Sequence, residues 1–593
     1  MKKFLYNFAL LIFTTFLMLA TNYAASNSNS KNIHQEQSKP QNKNSPLLQF
    51  ESRIFPETSS KGMVSTQEKR ATQVGVSILE QGGNAIDAAV AVGFALAVTL
   101  PRAGNIGGGG FMMIYDAKTD QIKALDYREK APKASYRDMF LNKSLDVDKK
   151  LARYSILSSG VPGTVAGLVE AHKKFGSMPF SKLLEPAIKL AKELPMEPWL
   201  MNSLNLKREF LSRDDTSREL FVKPDGTLWS LNDTLVQKHL ANTLERIQKS
   251  YGDDFYQGET ARMIASFFER KGGIITLDDL SSYRAIWREP VFAVYGDYKI
   301  YAMPPPSSGG IHLIQLLNII REFPINGFGS NTAYTTHIKA EAMKYAYADR
   351  SFYLGDPDYV KVPVEKLTSI QYAKRIAANI NPDKAMPSNQ IKPGQNLSSE
   401  SIETTHYSIM DRYGNVVSNT YTLNFSFGSG ISIPGVGVVL NNEMDDFSAK
   451  PGVPNGFGLI GGEANSIEPH KRPLSSMTPV IALKKDKPWL ATGSPGGSKI
   501  ITTVLNLILN RLAHDMNIAE ATIEPRIHHQ WFPDKLFVEN GFPLDTIKLL
   551  KQKGHNVVVQ GAWGSLQTVE FQDGKFLGYS DTRRPGAFSQ GVK

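Results

Sequence analysis

Two stretches of alternating polar and apolar residues stand side by side in the last third of the chain. Residues 404–411 alternate, a polar turn follows at 412–415, and residues 416–424 alternate again. A period of two is typical of a strand with one buried face, and two such runs joined by a short turn predict a β-hairpin. With a four-residue turn, antiparallel pairing places Thr404 opposite Leu423, between Thr422 and Asn424.

Longer runs with helical character lie on both sides of this hairpin. Asn84 and Ser308 stand at cap positions before two of them, and a glycine-rich turn precedes a third. The predicted helices cover residues 85–100, 311–320, 340–349 and 500–512. Strands and helices that alternate along one chain predict an α+β fold, in which sheets lie between layers of helices.

The first 47 residues differ from the rest. Lys2 and Lys3 precede an apolar run at 4–19, and small residues follow at Ala24 and Ala25. This order predicts a signal peptide over residues 1–25, with a retained membrane anchor as the alternative, and a polar, disordered linker over 26–47. We therefore expect an exported protein, periplasmic or secreted, without a stable membrane anchor.

Composition narrows the possible chemistry. The formal charge of +10 is spread over 67 basic and 57 acidic residues without a long basic run, which does not favour nucleic acid as a partner. The chain has no cysteine, so a disulfide, a thiol nucleophile and a thiolate metal site are excluded. A length of 593 residues allows several domains or one large multilayer domain.

Familiar catalytic motifs are absent from the sequence. No serine has glycine both two before and two after it, and there is no phosphate-binding loop and no His-Glu-x-x-His pattern. The glycine run at 107–110 lacks dinucleotide-binding spacing and predicts a close backbone crossing instead. His528 and His529 would face opposite sides of a strand, so we expect no metal there.

Thr404 offers a nucleophile of another kind. A threonine inside a chain has no base fixed beside its hydroxyl, whereas an N-terminal threonine carries its own amine, with a pKa of roughly 7.7–8. The polar, turn-rich residues 380–402 predict an exposed loop in which a chain can be cut. Cleavage between Glu403 and Thr404 would create nucleophile and base together, and His406 is the alternative base.

Other polar clusters are suited to complete such a site. The turn at 493–497 precedes a helix, where backbone amides can bind an oxyanion. Asparagines and acids gather at 441–448, paired hydroxyls lie within 471–477, and an arginine stands among acids at 126–129. Each cluster also has a plainer interpretation, as a helix start, a solvated loop or a surface ion pair.

Taken together, these segments resemble the bacterial γ-glutamyltranspeptidases, which are N-terminal-nucleophile hydrolases. The resemblance extends from about residue 50 to residue 593 and rests on blocks that follow in the same order. The blocks are residues 103–110, 126–129, 303–310, 404–408, 422–424, 442–448, 472–477 and 493–497.

The resemblance implies a four-layer αββα fold and a precursor that cuts itself into a large chain, residues 48–403, and a small chain, residues 404–593. These chains would stay together as a heterodimer. The implied reaction takes the γ-glutamyl group from glutathione or a related amide as a threonyl ester. It then passes the group to water, an amino acid or a dipeptide, and it requires no cofactor.

The resemblance also implies roles for single residues. Thr404 would be the nucleophile, Thr422 would orient it, and the amides of Gly496 and Gly497 would hold the oxyanion. The residues implied to bind the substrate are Arg128, Ser475 and Ser476 for an α-carboxylate, and Asn424, Glu443 and Asp446 for an α-ammonium.

Three alternatives and one departure qualify this interpretation. A β-lactam side-chain acylase and a depolymerase of γ-linked polyglutamate keep the fold but change the substrate. An uncleaved relative that only binds is disfavoured by the intact Thr404. Phe457 stands where several bacterial members have a tyrosine that hydrogen-bonds the active-site asparagine, so we expect a looser closure over Asn424.

Overall fold

The computed structural model describes residues 54–391 and 404–593. The strands of this part of the chain are β1 Glu57–Ser59, β2 Gly62–Thr66, β3 Gly109–Asp116, β4 Gln121–Tyr127, β5 Leu194–Pro195, β6 Thr234–Leu235, β7 Ile286–Arg288, β8 Val291–Tyr295, β9 Tyr298–Ala302, β10 Thr405–Asp411, β11 Val416–Thr422, β12 Val480–Lys484, β13 Lys487–Thr492, β14 Ile527–His528, β15 Leu536–Glu539, β16 Val557–Gln560, β17 Gln567–Gln572, β18 Lys575–Ser580 and β19 Phe588–Gly591.

Two seven-stranded antiparallel sheets form the centre of the fold. The first has the order β1-β18-β17-β13-β12-β9-β8 and the second the order β19-β2-β10-β11-β3-β4-β7. Smaller sheets join β14, β15 and β16, and β5 and β6. Strands from before and after residue 404 are neighbours in both large sheets, since β10 pairs with β2, β11 with β3, and β12 with β9.

Helices cover the outer face of each large sheet. Ala85–Thr99 packs on β10 and β11, and Gly309–Ile320 packs on β8 and β9. The α-helices of the described residues are Lys69–Glu80, Ala85–Thr99, Lys149–Tyr154, Thr164–Phe175, Phe180–Lys192, Pro198–Leu206, Arg208–Leu211, Asp215–Phe221, Lys238–Ser250, Asp253–Gln257, Glu259–Arg270, Leu277–Ser282, Gly309–Ile320, Ala333–Tyr353, Val364–Thr368, Ile370–Ala377, Ile500–Ala513, Ile518–Ile523 and Leu544–Gln552.

Side chains of β3 show how the layers are joined. Met112 and Ile114 belong to a core shared with the helix Ala85–Thr99, whereas Phe111 and Met113 belong to a core shared with the first sheet. Successive residues of a strand point to opposite faces, so one strand supplies both cores. The order of layers is therefore helix, sheet, sheet, helix, and the predicted α+β sandwich is confirmed.

The predicted helices are present, but one predicted cap is wrong. Asn84 accepts hydrogen bonds from two amides in the first turn of Ala85–Thr99, as expected. Ser308 directly precedes Gly309–Ile320, yet its hydroxyl donates to the backbone oxygen of Ser475 (2.8 Å) and accepts nothing from the helix. The partner of Ser308 is 167 residues away in sequence, where a local pattern gives no sign of it.

Three predicted segments fall wholly or partly outside the described residues. These are the signal peptide and linker at 1–47, Glu403, and positions 392–402 of the exposed loop. In the described part of that loop the prediction is wrong for Ser388, which is buried and donates its amide to Asp534 (2.8 Å). In the described ranges, no helix has both the length and the apolar character required to cross a membrane.

The hairpin forms as predicted, but its register differs by one residue. Met410 pairs with Val416, so the turn holds five residues instead of four. The same register, continued to the start of the strand, brings Thr404 opposite Thr422 rather than Leu423. The two threonines therefore lie side by side at the open end of the hairpin.

Asp411 accounts for the longer turn. Its buried carboxylate accepts hydrogen bonds from the amides of Tyr413 (2.8 Å) and Asn415 (2.9 Å), which closes the turn on itself. It also accepts from the amide of Ala85 (2.7 Å), the first residue of a helix. One side chain thus fixes the hairpin and joins it to the helix layer.

The glycine run lies at the predicted close crossing. A Cβ atom on Gly108 would lie 1.9 Å from the backbone oxygen of Thr422, and one on Gly110 would lie 2.4 Å from that of Thr420. No other residue fits at such distances, so glycine here allows β3 to approach the end of β11.

We expect Asp411→Ala to lower the free energy of unfolding by about 2–3 kcal/mol, because three backbone amides lose their acceptor. Urea denaturation followed by circular dichroism measures this change. Asp297→Ala is the matched control, since Asp297 also lies in a hairpin turn but has a side chain that is 62% exposed. An equal loss of stability in the two variants would contradict the role assigned to Asp411.

Candidate active site

The open end of the hairpin faces a small pocket lined by residues from distant parts of the chain. Its cavity of about 20 Å³ has room for about one water molecule. The lining residues are Arg128, Arg350, Thr404, Thr422, Asn424, Glu443, Asp446, Phe457, Leu459, Ser475, Ser476, Met477, Gly497 and Ile500. Every described residue to which the resemblance gave a role is among them except Gly496, which precedes Gly497 on the same turn.

Thr404 and Thr422 are adjacent at the base of the pocket. The hydroxyl oxygens of the two side chains are 3.4 Å apart, and both residues are buried. The Thr422 hydroxyl also accepts a hydrogen bond from the amide of Asn424 (2.8 Å). The side-chain amide of Asn424 donates in turn to the backbone oxygen of Asn442 (2.9 Å), so the end of β11 holds these polar groups in place.

His406 does not take part in this pocket. Its two ring nitrogens are hydrogen-bonded to the hydroxyls of Thr420 (2.7 Å) and Ser408 (2.9 Å) inside the sandwich. Burial lowers the pKa of His406 to about 3, so the ring is neutral at physiological pH. With both nitrogens engaged, His406 is a structural histidine and not the base for Thr404.

A buried arginine with three acidic neighbours forms one wall. Arg128 contacts Glu129 (3.3 Å), Glu443 and Asp446, and all of these are buried except Asp446, which is partly exposed. Burial raises the pKa of Glu443 and of Asp446, while Arg128 acts in the opposite direction. One oxygen of Glu443 and one of Glu129 have no hydrogen-bond partner within the described residues, so the wall can accept a further cation.

Backbone contacts hold Arg128 in position just after β4. The hydroxyl of Tyr283 donates to the backbone oxygen of Arg128 (2.7 Å). The side chain of Arg128 donates to the backbone oxygen of Pro473 (3.2 Å), which lies on the segment that carries the paired serines. The arginine and the serines therefore share one support.

The paired serines form the wall next to Arg128. Ser475 pairs through its amide with the backbone oxygen of Pro306 (2.9 Å), and its hydroxyl accepts from the amide of Met477 (3.1 Å). The hydroxyl of Ser476 accepts from the guanidinium of Arg350 (3.3 Å). The serines thus face the pocket with their hydroxyl positions set by neighbours.

The glycine turn stands opposite Arg128. Gly496 has a φ of 139° and Gly497 a φ of 54°, values that favour glycine. A Cβ atom on Gly497 would lie 2.5 Å from the ring of Phe457, so the turn also needs glycine for space. A short 3₁₀ turn then leads into the helix Ile500–Ala513, and the helix start is of the kind that binds anions.

Phe457 covers the pocket by packing. Its ring lies 5.1 Å from that of Phe425, centroid to centroid, and it is buried. The loop around it is held at two points, where the amide of Gly456 donates to Asp445 (2.8 Å) and Gln530 donates to the backbone oxygen of Gly458 (3.1 Å). The looser closure over Asn424 that the sequence predicts stays a prediction. For the loop to open, the ring contact with Phe425 and these two hydrogen bonds would have to break.

Sequence reasoning missed Arg350 and three apolar residues of the lining, Leu459, Met477 and Ile500. The predicted helix ended at residue 349, one position before Arg350, whereas the observed helix is Ala333–Tyr353. The sequence did contain a signal, an arginine in a helical segment that is otherwise mostly apolar. Arginine is seldom buried without a partner, so such a residue is a candidate for a site.

Histidines away from the pocket are part of the structural core. His528 bonds to Thr502 and Gln530, and His529 to Asp534, so the two rings have separate partners. His337, Glu341 and His555 come close enough to hold an ion. However, the two rings are hydrogen-bonded to each other (2.7 Å), and Glu341 is paired with Lys344 (2.8 Å), so internal contacts already use these groups.

The arrangement of the site agrees with the comparison to known families. A family model described as Gamma-glutamyltranspeptidase matches residues 71–591. The chain belongs to the γ-glutamyltranspeptidase family.

Relatives in this family cover nearly the whole chain. The glutathione hydrolase proenzyme of Escherichia coli (strain K12) is 51% identical over 533 residues, which make up 89% of this chain and 92% of that protein. The glutathione hydrolase proenzyme of Bacillus subtilis (strain 168) is 39% identical, with 89% and 91% covered.

Two solved structures share the fold of this chain. The cephalosporin acylase from Bacillus halodurans has a TM-score of 0.82 at 28% identity and covers 94% of this chain and 99% of its own. The γ-glutamyltranspeptidase of Helicobacter pylori has a TM-score of 0.54 at 47% identity and covers 56% of this chain and 95% of its own. Both belong with the N-terminal-nucleophile fold predicted from the sequence.

We expect Phe457→Tyr to change the ratio of hydrolysis to transfer, because a hydroxyl at the ring edge can hydrogen-bond Asn424 and close the pocket against water. The ratio is measured as glutamate released against γ-glutamyl dipeptide formed from one donor. Phe425→Tyr is the control, as it adds the same hydroxyl to the packed neighbour. An unchanged ratio in Phe457→Tyr would show that the ring closes the pocket as well as a tyrosine does.

Proposed function

We propose that this protein transfers the γ-glutamyl group of glutathione and related γ-glutamyl amides to water, amino acids or dipeptides, through an ester on Thr404. The observation that carries the proposal is the set of charges beside that threonine. Arg128 is ion-paired directly with Glu443 and Asp446 in the lining of the same pocket. A glutamyl group carries one charge of each sign at its α-carbon, so it matches both.

Arg128, Glu443 and Asp446, which line the pocket, are paired with one another. Because the cavity holds about one water molecule, a glutamyl group enters only by exchanging these pairs for its own charges. The α-carboxylate takes the place of an acid at Arg128, and the α-ammonium is received by Glu443, Asp446 and Asn424. A substrate that lacks either charge leaves a buried partner unpaired, which is costly. With both α-groups held, the γ-carbonyl is the part that reaches Thr404.

Activation begins with a reaction of the chain on itself. The Thr404 hydroxyl attacks the carbonyl carbon of Glu403, the peptide C–N bond breaks, and the acyl group moves from nitrogen to oxygen. Water then hydrolyses this ester and leaves a carboxylate on Glu403 and a free amine on Thr404. Since His406 is buried and neutral, the new amine is the base that remains next to the hydroxyl.

Transfer of the substrate uses the same atoms. The Thr404 amine takes the hydroxyl proton as the oxygen attacks the γ-carbonyl, and the amides of Gly496 and Gly497 stabilise the oxyanion. The amine then gives the proton to the departing amino group, and the C–N bond of the donor breaks. In a second round, water or an acceptor amine attacks the ester carbonyl and gives a proton to the Thr404 amine. The ester C–O bond then breaks and the proton passes to the Thr404 oxygen, which restores the hydroxyl. Thr422 holds this oxygen in place.

Two further features complete the proposal. The processed chains stay together as a heterodimer, because β10 and β11 are flanked by β2 and β3 in one hydrogen-bonded sheet.

The segment at 1–25 directs export to the periplasm or the medium.

We expect Thr404→Ala to stay a single inactive chain and Thr404→Ser to be cut and partly active, because serine keeps the hydroxyl and the amine. Denaturing electrophoresis and N-terminal sequencing of the smaller chain follow the cut, and release of glutamate from glutathione follows the activity. Thr405→Ser, next to the cut but in the strand, is the control. Two chains from Thr404→Ala would place the nucleophile elsewhere.

A second measurement distinguishes the proposed γ-glutamyl transfer from the acylase alternative. Wild-type enzyme is assayed with the p-nitroanilides of γ-glutamate and of glutarate, which differ only in the α-amino group. The proposed function requires a strong preference for the γ-glutamyl compound, since Glu443 and Asp446 otherwise lack a partner. Equal rates would favour an acylase that does not recognise the ammonium.

A further inference from the structure

Arg350 is a second arginine in the pocket, and the resemblance gave it no role. It lies near the end of the helix Ala333–Tyr353, is 4% exposed and lines the cavity together with Thr404 and Ser476. An arginine is seldom buried without paired charge, so its position calls for an explanation.

The contacts of Arg350 differ from those of Arg128. Its guanidinium donates to the hydroxyls of Ser308 (3.0 Å) and Ser476 (3.3 Å). Among the described residues, no carboxylate oxygen lies within ion-pair distance of it, whereas Arg128 has three acidic partners. Burial lowers the pKa of Arg350 to about 10, while Tyr347 and the charge of Asp446 act in the opposite direction, so the group is still charged at neutral pH.

The charges around Arg128 do not favour a carboxylate by themselves. One guanidinium with three ionised acids, Glu129, Glu443 and Asp446, carries a formal charge of −2. A bound glutamyl group is a zwitterion and adds no net charge. Arg350 supplies one of the missing positive charges. Burial raises the pKa of both Glu443 and Glu129, so a proton on this interacting pair of acids supplies the other.

Arg350 also determines where two serine hydroxyls point. Because Ser476 accepts from Arg350, its own proton is directed elsewhere and is free to be donated. Ser308 accepts from Arg350 and donates to the backbone oxygen of Ser475 (2.8 Å). Arg350 thus supports Ser476 directly and Ser475 through Ser308.

We propose that Arg350 determines specificity for the α-carboxylate of the donor: it offsets the carboxylate charge and holds the Ser476 hydroxyl so that its proton points to the carboxylate. This inference rests on the proposed γ-glutamyl transfer. Arg350 acts on the substrate partly through Ser476, and in that respect it is a positioning residue.

The test compares three p-nitroanilide donors. The γ-glutamyl donor has both α-groups, the 4-aminobutyryl donor lacks the α-carboxylate, and the glutaryl donor lacks the α-ammonium. In Arg350→Met we expect kcat/KM for the γ-glutamyl and glutaryl donors to fall about 10- to 100-fold, mainly through KM, with little change for the 4-aminobutyryl donor. An equal fall for all three donors, or no fall, would overturn the proposal.

Two further variants separate positioning from a general structural role. If Arg350 acts through Ser476, the effects of Arg350→Met and Ser476→Ala are not additive in the double variant. Arg526→Met is the matched control, because Arg526 is also buried and paired with Asp581 but does not line the pocket. Arg526→Met is expected to lower the rates with all three donors by the same factor.

The outcome is decided even if the methionine variant fails to fold or to be cut. Arg350→Lys keeps the charge but loses the two-pronged donation, and it should lower the ratio of γ-glutamyl to 4-aminobutyryl activity about 3- to 10-fold. An unchanged ratio in Arg350→Lys would overturn the role in positioning. If the wild-type enzyme shows no preference for the γ-glutamyl donor, the proposed function is wrong. If the wild-type enzyme shows this preference and the Arg350 variants keep it unchanged, only the role proposed for Arg350 is wrong.

Discussion

The rest of the site depends on one hydrogen-bond ladder, the pairing of β10 with β2 on one side and β11 on the other. A strand held on both sides cannot slip, and a slip by one residue would turn every side chain of β10 to the opposite face. Thr404 stands at the start of this strand, next to Thr422. The turn at Asp411 and the close crossing at Gly108 fix the two ends of the hairpin and so fix the register.

The same ladder explains how a cut chain can keep its site. Strands from both sides of residue 404 are neighbours in both sheets, so the cores on either face are built from both segments. Breaking the peptide bond before Thr404, which precedes β10, removes no ladder hydrogen bond between the described strands. The fold therefore permits a new amine to form without loss of the surrounding walls.

Fold and specificity have separate physical origins in this molecule. The sandwich is shared with a cephalosporin acylase at 28% identity, so the layers alone do not select a substrate. The walls of the pocket, unlike the layers, carry features that can select a substrate. Several charged side chains line a cavity that has room for about one water molecule. Buried charges contribute little to stability but demand partners, and this demand is what gives a zwitterionic ligand its advantage.

Local patterns predicted well wherever the cause was local. The alternation around the hairpin, the cap at Asn84 and the glycines at the crossing all follow from the nearest residues and from backbone sterics. Two errors had different causes. The register moved by one because Asp411 accepts from Tyr413 and Asn415 within the turn, which the alternation of polar and apolar residues does not show. Ser308 failed as a cap because its hydroxyl donates to the distant backbone oxygen of Ser475.

The sequence by itself predicted Thr404 as the nucleophile and an α+β sandwich and, through resemblance, the four layers and the set of side chains around the site. Tertiary structure decided which of them meet. It paired Arg128 with Glu443 and Asp446, and it placed Arg350 behind Ser476. These contacts join residues that are far apart in the chain, so their charges and hydrogen bonds depend on packing between layers, which no local pattern encodes.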